Sequence, residues 1–281
     1  MPPVLQSTKK PKVATPPGAV DTHMHVYNHR YPTAATAVVK PADASVADYL
    51  AMRKRIGVDR TVVVQPSAYG LDNTCTLDAM AEIGPSARGI AVCNESTSDA
   101  ELERLNKLGI RGLRFFMLKG GAVTWDSLET MSARIAPLGW HIVLQLDGRD
   151  FPQYETVVKR LPSNVIIDHV GKFLEPVPLD HPGFQALLRL LEGDKKWLKL
   201  AAPYETSKLG APFYDDVGTL AKTLVKAAPD RVIWASNWPH PSSGFVGPDD
   251  ADMLDLLLDW APDDTARRKI LVDNPVRLYG F

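Results

Sequence analysis

Two histidines lie one residue apart near the start of the chain, in Asp21-Thr22-His23-Met24-His25, and a third, His169, closes the run Ile166-Ile167-Asp168-His169. Far along the chain another apolar run leads into Trp234-Ala235-Ser236-Asn237-Trp238-Pro239-His240. In a strand, residues 23 and 25 face the same side. Imidazoles gathered on one face can polarise a carbonyl, move protons or bind a metal. The group that meets them decides which of these follows. A carboxylate at the end of the last run would activate water, whereas an amide has no titrating group and takes no proton from water at neutral pH. The sequence places the amide of Asn237 there.

Other polar residues stand where further apolar runs end: Gln65 and Ser67, Arg114, Gln145 and Asp147, Lys172, Tyr204, and His240. Arg114 is permanently charged and can hold a carboxylate in a two-pronged grip, or it forms a structural pair with Asp147. Gln65, Ser67, Gln145 and Tyr204 can hydrogen-bond hydroxyls or a carbonyl oxygen. His240, between two prolines, reaches the same mouth or stiffens its loop. His141 stands at the start of its run and is expected at the opposite end, in a structural role, and His29 and His181 read as loop residues. Cys75 and Cys93 have no base beside them in sequence and make poor nucleophiles.

These residues need a scaffold that brings the ends of distant segments together. Eight short runs rich in β-branched residues cover 19–26, 60–66, 88–93, 110–117, 140–146, 164–170, 197–202 and 231–235. Helical periodicity occupies 48–56, 100–108, 125–138, 154–161, 184–191, 217–228 and 264–271. Ser98-Asp99 and Pro262-Asp263 mark two of the helix entries. Strand alternating with helix predicts a parallel sheet, and eight units predict a closed (β/α)8 barrel of the α/β class. Its site would lie at the carboxyl ends of the strands. No Gly-x-Gly-x-x-Gly follows the first run, which argues against dinucleotide binding.

The length of 281 residues suits one such barrel. Residues 1–18, rich in proline and lysine, read as a tail, and 19–281 as the barrel. Charge is balanced, 32 Lys+Arg against 33 Asp+Glu, without a basic run that would favour nucleic acid. No apolar stretch nears the ~20 residues a spanning helix needs, and two cysteines build no disulfide framework. A cytoplasmic enzyme with a small-molecule substrate, and neither nucleic-acid nor membrane partners, is the expectation.

The set Asp21-Thr22-His23-Met24-His25, Ile167-Asp168-His169 and Ser236-Asn237-Trp238-Pro239-His240 resembles the amidohydrolase superfamily. The ending Asp273-Asn274-Pro275-Val276-Arg277-Leu278-Tyr279-Gly280-Phe281 is similar to that of its lactonase-like branch, the relatives of 2-pyrone-4,6-dicarboxylate lactonase. The resemblance runs from about residue 19 to the end and implies a distorted (β/α)8 barrel.

Metal-dependent members often carry a lysine at the end of strand four, but here Lys119 lies beyond that run. Three histidines can still bind Zn2+, yet Asn237 is a poor replacement for the usual aspartate ligand, so the expectation is a site without metal or other cofactor. In the branch's metal-free lactonases the histidines polarise the lactone carbonyl while the strand-eight aspartate activates water. This chain keeps the first part and replaces the second.

Catalytic roles therefore fall to His23, His25, His169 and Asn237, and substrate contacts to Arg114, Gln65, Ser67, Gln145, Tyr204 and His240. With no base for water, a hydroxyl of the substrate attacks instead, since positioned intramolecular groups reach effective molarities on the order of 10⁵–10⁸ M. The pattern is similar to the lactone isomerases of the branch, which implies conversion of D-galactaro-1,5-lactone into the 1,4-lactone in galacturonate breakdown. Two alternatives stand beside it: a metal-independent lactonase drawing its base from His240 or Asp147, and a non-catalytic sugar-acid-binding barrel. The isomerase reading requires that no carboxylate from elsewhere in the chain stands over the carbonyl.

Overall fold

The computed structural model describes residues 4–39, 41–241 and 247–281. Eight parallel strands form one sheet in sequential order: β1 (Val20–Met24), β2 (Arg60–Val64), β3 (Ala87–Ala91), β4 (Ile110–Phe116), β5 (His141–Gln145), β6 (Asn164–Ile167), β7 (Lys196–Leu200) and β8 (Val232–Trp234). The principal crossover helices are α1 (Val46–Ile56), α2 (Thr74–Ile83), α3 (Asp99–Lys107), α4 (Leu128–Ile135), α5 (Phe151–Arg160), α6 (Pro182–Leu191) and α7 (Asp215–Ala227). Four short helices follow β8: α8 (Asp250–Asp255), α9 (Leu257–Trp260), α10 (Asp264–Arg268) and α11 (Asn274–Tyr279). This is the single-domain (β/α)8 barrel expected from the sequence.

Alternation along the strands produces two apolar layers. Val20, Val62, Val64, Ile90, Val143, Ile166, Trp197 and Ile233 fill the barrel interior, and Leu278 and Tyr279 of α11 plug its amino-terminal end. The intervening residues, such as Leu113, Phe115, Ile142, Leu144 and Leu198, pack outward against the helices. Because side chains alternate, the residue two places after each interior residue also points inward, one layer nearer the site. That rule carries Val143 to Gln145, Ile166 to Asp168 and Trp197 to Lys199. Gly112 lets β4 approach β5, since a Cβ there would come 2.4 Å from the His141 carbonyl oxygen.

The barrel closes through residues beyond β8. His25 N donates to the Trp238 carbonyl at 2.8 Å and Asn237 N to the His23 carbonyl at 2.9 Å. Asp21 fixes this seam: its carboxylate, fully buried, accepts from the Ser236 backbone and hydroxyl, the Tyr49 hydroxyl and the His23 backbone. Burial pushes Asp21 up to about 6 against the pull of those donors. The seam places Asn237 beside the histidine pair.

Helix ends follow their sequence signals. Ser45 and Asp48 form a capping box at α1, Ser98 caps α3 and His181 caps α6. The predicted final helix, 264–271, is shorter: α10 ends at Arg268 and continues as a π turn, Lys269–Asp273. The predicted segment 125–138 is α4 flanked by two 3-10 turns. Residues 4–18, expected as a tail, contain no helix or strand but lie against the barrel. Val13 is buried, the Lys12 and Val13 amides donate to Asp255, and Thr15 donates to the Ile56 carbonyl. Among the described residues no helix is long and apolar enough to cross a membrane.

Candidate active site

A cavity of about 380 Å³ opens at the carboxyl end of the barrel, a size suited to a small ligand. His25, His169, Asn237, Arg114, Ser67 and Gln145 line it. So do Lys172, Lys119 and Glu205, which with Arg114 gives three cations against one anion among the described residues. His23 lies behind His25, with ring centroids 4.7 Å apart, and its own ring is 5.1 Å from that of His169.

The protonation pattern of the histidine pair can be read from both ends. His25 Nδ1 lies 2.7 Å from the Val64 carbonyl, which only accepts, so His25 carries its proton there. His25 Nε2 is then an acceptor, and His23 Nε2–H donates to it at 3.1 Å. His23 Nδ1 must therefore carry a lone pair. Lys199 Nζ, a donor only, meets that lone pair at 3.0 Å. The same ammonium lies 2.8 Å from Asp168 Oδ1, and both side chains are completely buried.

These charges set the titration of the site. Burial draws His25 down to about 3, reinforced by Arg114. Burial and Lys199 draw His23 well below the ordinary imidazole range, outweighing Asp168. His169 is lowered in the same way by burial, against the pull of Asp168. All three are neutral imidazoles at neutral pH. Burial alone would raise Asp168, but the Lys199 ammonium 2.8 Å away holds it well below the ordinary carboxylate range.

Backbone strain concentrates here. His169, Val170, Lys172, Ala202, Asn237 and His240 all take positive φ, with Val170 at 55° and Asn237 at 57°. Such conformations cost non-glycine residues of order 1–3 kcal/mol each and cluster where geometry serves function. The turn at His169–Gly171 swings the His169 ring from the end of β6 over the cavity.

Arg114 is buried and reaches the cavity by donating to the Gln65 carbonyl at 3.1 Å and to Gln145 Oε1 at 3.0 Å. It does not pair with Asp147, which instead binds Arg149 and caps the following turn. Asp147 is thereby removed as a candidate base as well.

Three residues expected to touch substrate do not line the cavity. Gln65 spends its side chain on the Gly70 and Asp72 carbonyls and on Thr76. Tyr204 sits beneath Asn237 and accepts from its amide at 2.8 Å, and its hydroxyl also meets His240 Nδ1 at 3.0 Å. His240 Nε2 in turn lies 3.1 Å from Asp250. Tyr204 and His240 thus form a support under Asn237 rather than a wall of the cavity.

Sequence reading missed two residues. Lys199 stands in the strand Trp197-Leu198-Lys199-Leu200, where its charge between leucines, with the inward parity of Trp197, was the available signal. Glu205 directly follows Tyr204. Its carboxylate lines the cavity, pairs with the buried Lys172 ammonium and accepts from Asn237 Nδ2 at 3.2 Å. The requirement that no other carboxylate reach the site is corrected by this: one does, and it is held by a cation and an amide.

His23, Asp168 and His169 each offer a ligand atom, all within 4.8 Å of one another. They do not fit a Zn2+ ion. The Lys199 ammonium stands between Asp168 and His23 and engages both. It also fixes the proton of His23 on Nε2, the atom that would face a metal shared with His25. A divalent ion would add to the positive charge already supplied by Lys199, Arg114 and Lys172.

A family model described as "Amidohydrolase" matches residues 20–281. A curated relative from Comamonas testosteroni, 2-pyrone-4,6-dicarboxylate hydrolase, is 37% identical over 282 residues, covering 96% of this chain and 92% of the relative. D-galactarolactone isomerase from Agrobacterium fabrum is 34% identical over 273 residues, covering 96% and 93%. A crystal structure of an Agrobacterium tumefaciens protein in its apo form superimposes with a TM-score of 0.91 at 35% identity, covering 96% of this chain and 98% of that one.

Proposed function

The chain belongs to the amidohydrolase family, and within it we propose an enzyme of carboxylated lactones that isomerises its substrate by intramolecular acyl transfer. The observation that carries this reading is Asn237: an amide, held by Tyr204 and Glu205, occupies the end of β8 beside the histidines.

A lactone of a sugar diacid suits the cavity. Its free carboxylate is matched by Arg114 and by the excess of cations in the lining. Ser67 and Gln145 offer hydrogen bonds to its hydroxyls. The relative that isomerises D-galactarolactone makes D-galactaro-1,5-lactone and its 1,4-isomer the first pair to try.

In the proposed step a substrate hydroxyl oxygen attacks the lactone carbonyl carbon and the ring C–O bond breaks. The hydroxyl proton ends on the departing ring oxygen, so atoms balance without water. His169 is the imidazole suited to carry that proton. It is neutral, it lines the cavity, and its Nδ1 has no hydrogen-bond partner among the described residues. His25, with its proton committed to Val64, fixes the wall against which the carbonyl lies, and His23 supports it from behind. Lys172, which lines the same cavity, is the cation left for negative charge developing on the carbonyl oxygen once Arg114 holds the free carboxylate.

Hydrolysis is the second reading, favoured by Glu205. If the Lys172 pair loosens when substrate binds, its carboxylate can take a proton from water. General-base assistance is worth ~10²–10⁴-fold. NMR analysis of products from aldarolactones and 2-pyrone-4,6-dicarboxylate separates the readings: a rearranged lactone supports the first, an open acid the second.

A further inference from the structure

We infer that Lys199 is a built-in cation that keeps this barrel from being a zinc site, by fixing the proton of His23 on Nε2. The inference concerns the state of the histidine pair, and it holds whether the acyl group passes to a substrate hydroxyl or to water.

The argument is geometric. The two imidazoles face each other through Nε2 atoms 3.1 Å apart. Two imidazole nitrogens bound to one tetrahedral zinc at ~2.0–2.1 Å stand about 3.3 Å apart. His25 already has the form a ligand needs, with its proton on Nδ1 given to a backbone carbonyl and its Nε2 lone pair facing inward. Only the proton on His23 Nε2 closes the bite.

That proton stays there because Lys199 Nζ, 3.0 Å away, can only donate, and so demands a lone pair at His23 Nδ1. Asp168 Oδ1 lies 3.5 Å from the same Nδ1. Without Lys199, Asp168 would accept a hydrogen bond from His23 Nδ1–H, as a carboxylate behind a metal-bound histidine does. His23 Nε2 would then turn a lone pair toward that of His25, and His169, whose ligand atom lies within 4.8 Å of that of His23, would supply a third nitrogen. Removing the ammonium also removes the charge that neutralises Asp168, leaving an uncompensated buried carboxylate that favours a cation. Lys199 does not line the cavity and acts through His23, so it is a positioning residue.

The test compares the full-length protein with its Lys199→Met variant, both stripped with chelator and then titrated with ZnCl2. Bound zinc is measured by mass spectrometry and affinity by calorimetry. The expected result is no tight site in the native protein and about one ion per chain in the variant. The affinity should rise at least ~100-fold and be lost again in the Lys199→Met, His25→Asn double variant. Zinc binding that is equally tight in native protein and variant overturns the inference, as does a folded variant that takes up none. If the variant does not fold, 15N NMR of histidine-labelled native protein decides. A bare Nδ1 and a protonated Nε2 on His23 support the inference, and the opposite tautomer refutes it. Neither readout depends on which lactone is turned over or on the product formed.

Discussion

The Asn237 amide donates to the Glu205 carboxylate at 3.2 Å, so the residue expected to replace a base is bonded to an acid from the neighbouring strand end. Glu205 also pairs with Lys172, and both side chains are almost fully buried. This contact changes the meaning of Asn237. It is more than a missing aspartate: it is one of two groups that hold a carboxylate in place.

Glu205→Gln follows directly from that contact. The new amide oxygen still accepts from Asn237, but no proton can be taken from water. On the isomerase account the rate of lactone interconversion falls by less than about tenfold, against the ~10²–10⁴-fold loss expected when a general base is removed. Steady-state assay of interconversion, after circular dichroism has shown the variant to be folded, checks this.

Asn237→Asp places a second carboxylate beside Glu205. Like charges in one buried site raise the pKa of one member of the pair. The expected outcome is slower isomerisation together with new hydrolytic product. The hydrolysed fraction should climb as pH rises through the raised pKa, because the deprotonated form is the base. Product ratios measured across a pH series report the effect.

Arg114→Ala removes the buried guanidinium from the cavity. Hydrogen bonds to charged groups are worth about 1.5–3 kcal/mol, so kcat/KM should fall by about 10–150-fold for a substrate with a free carboxylate. The same variant should lose little activity against the corresponding methyl ester. Equal losses on both substrates would place the carboxylate elsewhere.

His141 gives a stability prediction at a distance from the chemistry. It lies at the amino-terminal end of the barrel against Tyr279, fully buried, and neither ring nitrogen has a hydrogen-bond partner among the described residues. Burial lowers it to about 3, against ~6.5 when unfolded. The unfolded chain therefore binds a proton that the native state refuses between those values. The stability contribution is intact above about pH 6.5 and lost as pH falls toward 3. From pH 7 to pH 5 that loss is about 2 kcal/mol for one such group. Urea unfolding at both pH values should show His141→Leu losing correspondingly less than the native protein.

Tyr204→Phe tests the support under Asn237. It deletes the hydroxyl that accepts from the amide and meets His240. The expected result is a drop in kcat of about tenfold, on the scale of one lost buried hydrogen bond of roughly 1–1.5 kcal/mol. KM should change little, since Tyr204 does not line the cavity.

The strands were legible because their β-branched runs are short and regularly spaced, and their ends named His25, His169, Arg114, Gln145 and Asn237 as neighbours. Parity within the strands carries the rest. Val62 and Val64 face the barrel interior, so Gln65, one residue on, turns away and is taken by Thr76 and the loop. Trp197 faces inward, so Lys199 does too. A count of residues at strand ends misses both consequences.

α2 went unread because its buried positions, Cys75, Thr76, Ala79 and Met80, offer weak apolar contrast. Glu205 depends on the 3-10 turn Pro203–Glu205, which presents its carboxylate to the cavity from the end of β7. No periodicity announces such a turn. Local spacing likewise says nothing of the bond between Asn237 and Tyr204, which joins the loops after the paired strands β7 and β8 across 33 residues of sequence.

The central claim is that the acyl group passes to the substrate's own hydroxyl, and turnover in H₂18O tests it most directly. The account predicts that product collected early in the reaction is an isomeric lactone without 18O in its carbonyl or carboxyl groups. One 18O atom per product molecule, built into a newly formed carboxylate, would show that water is the nucleophile and that Glu205, not the amide beside it, decides the outcome.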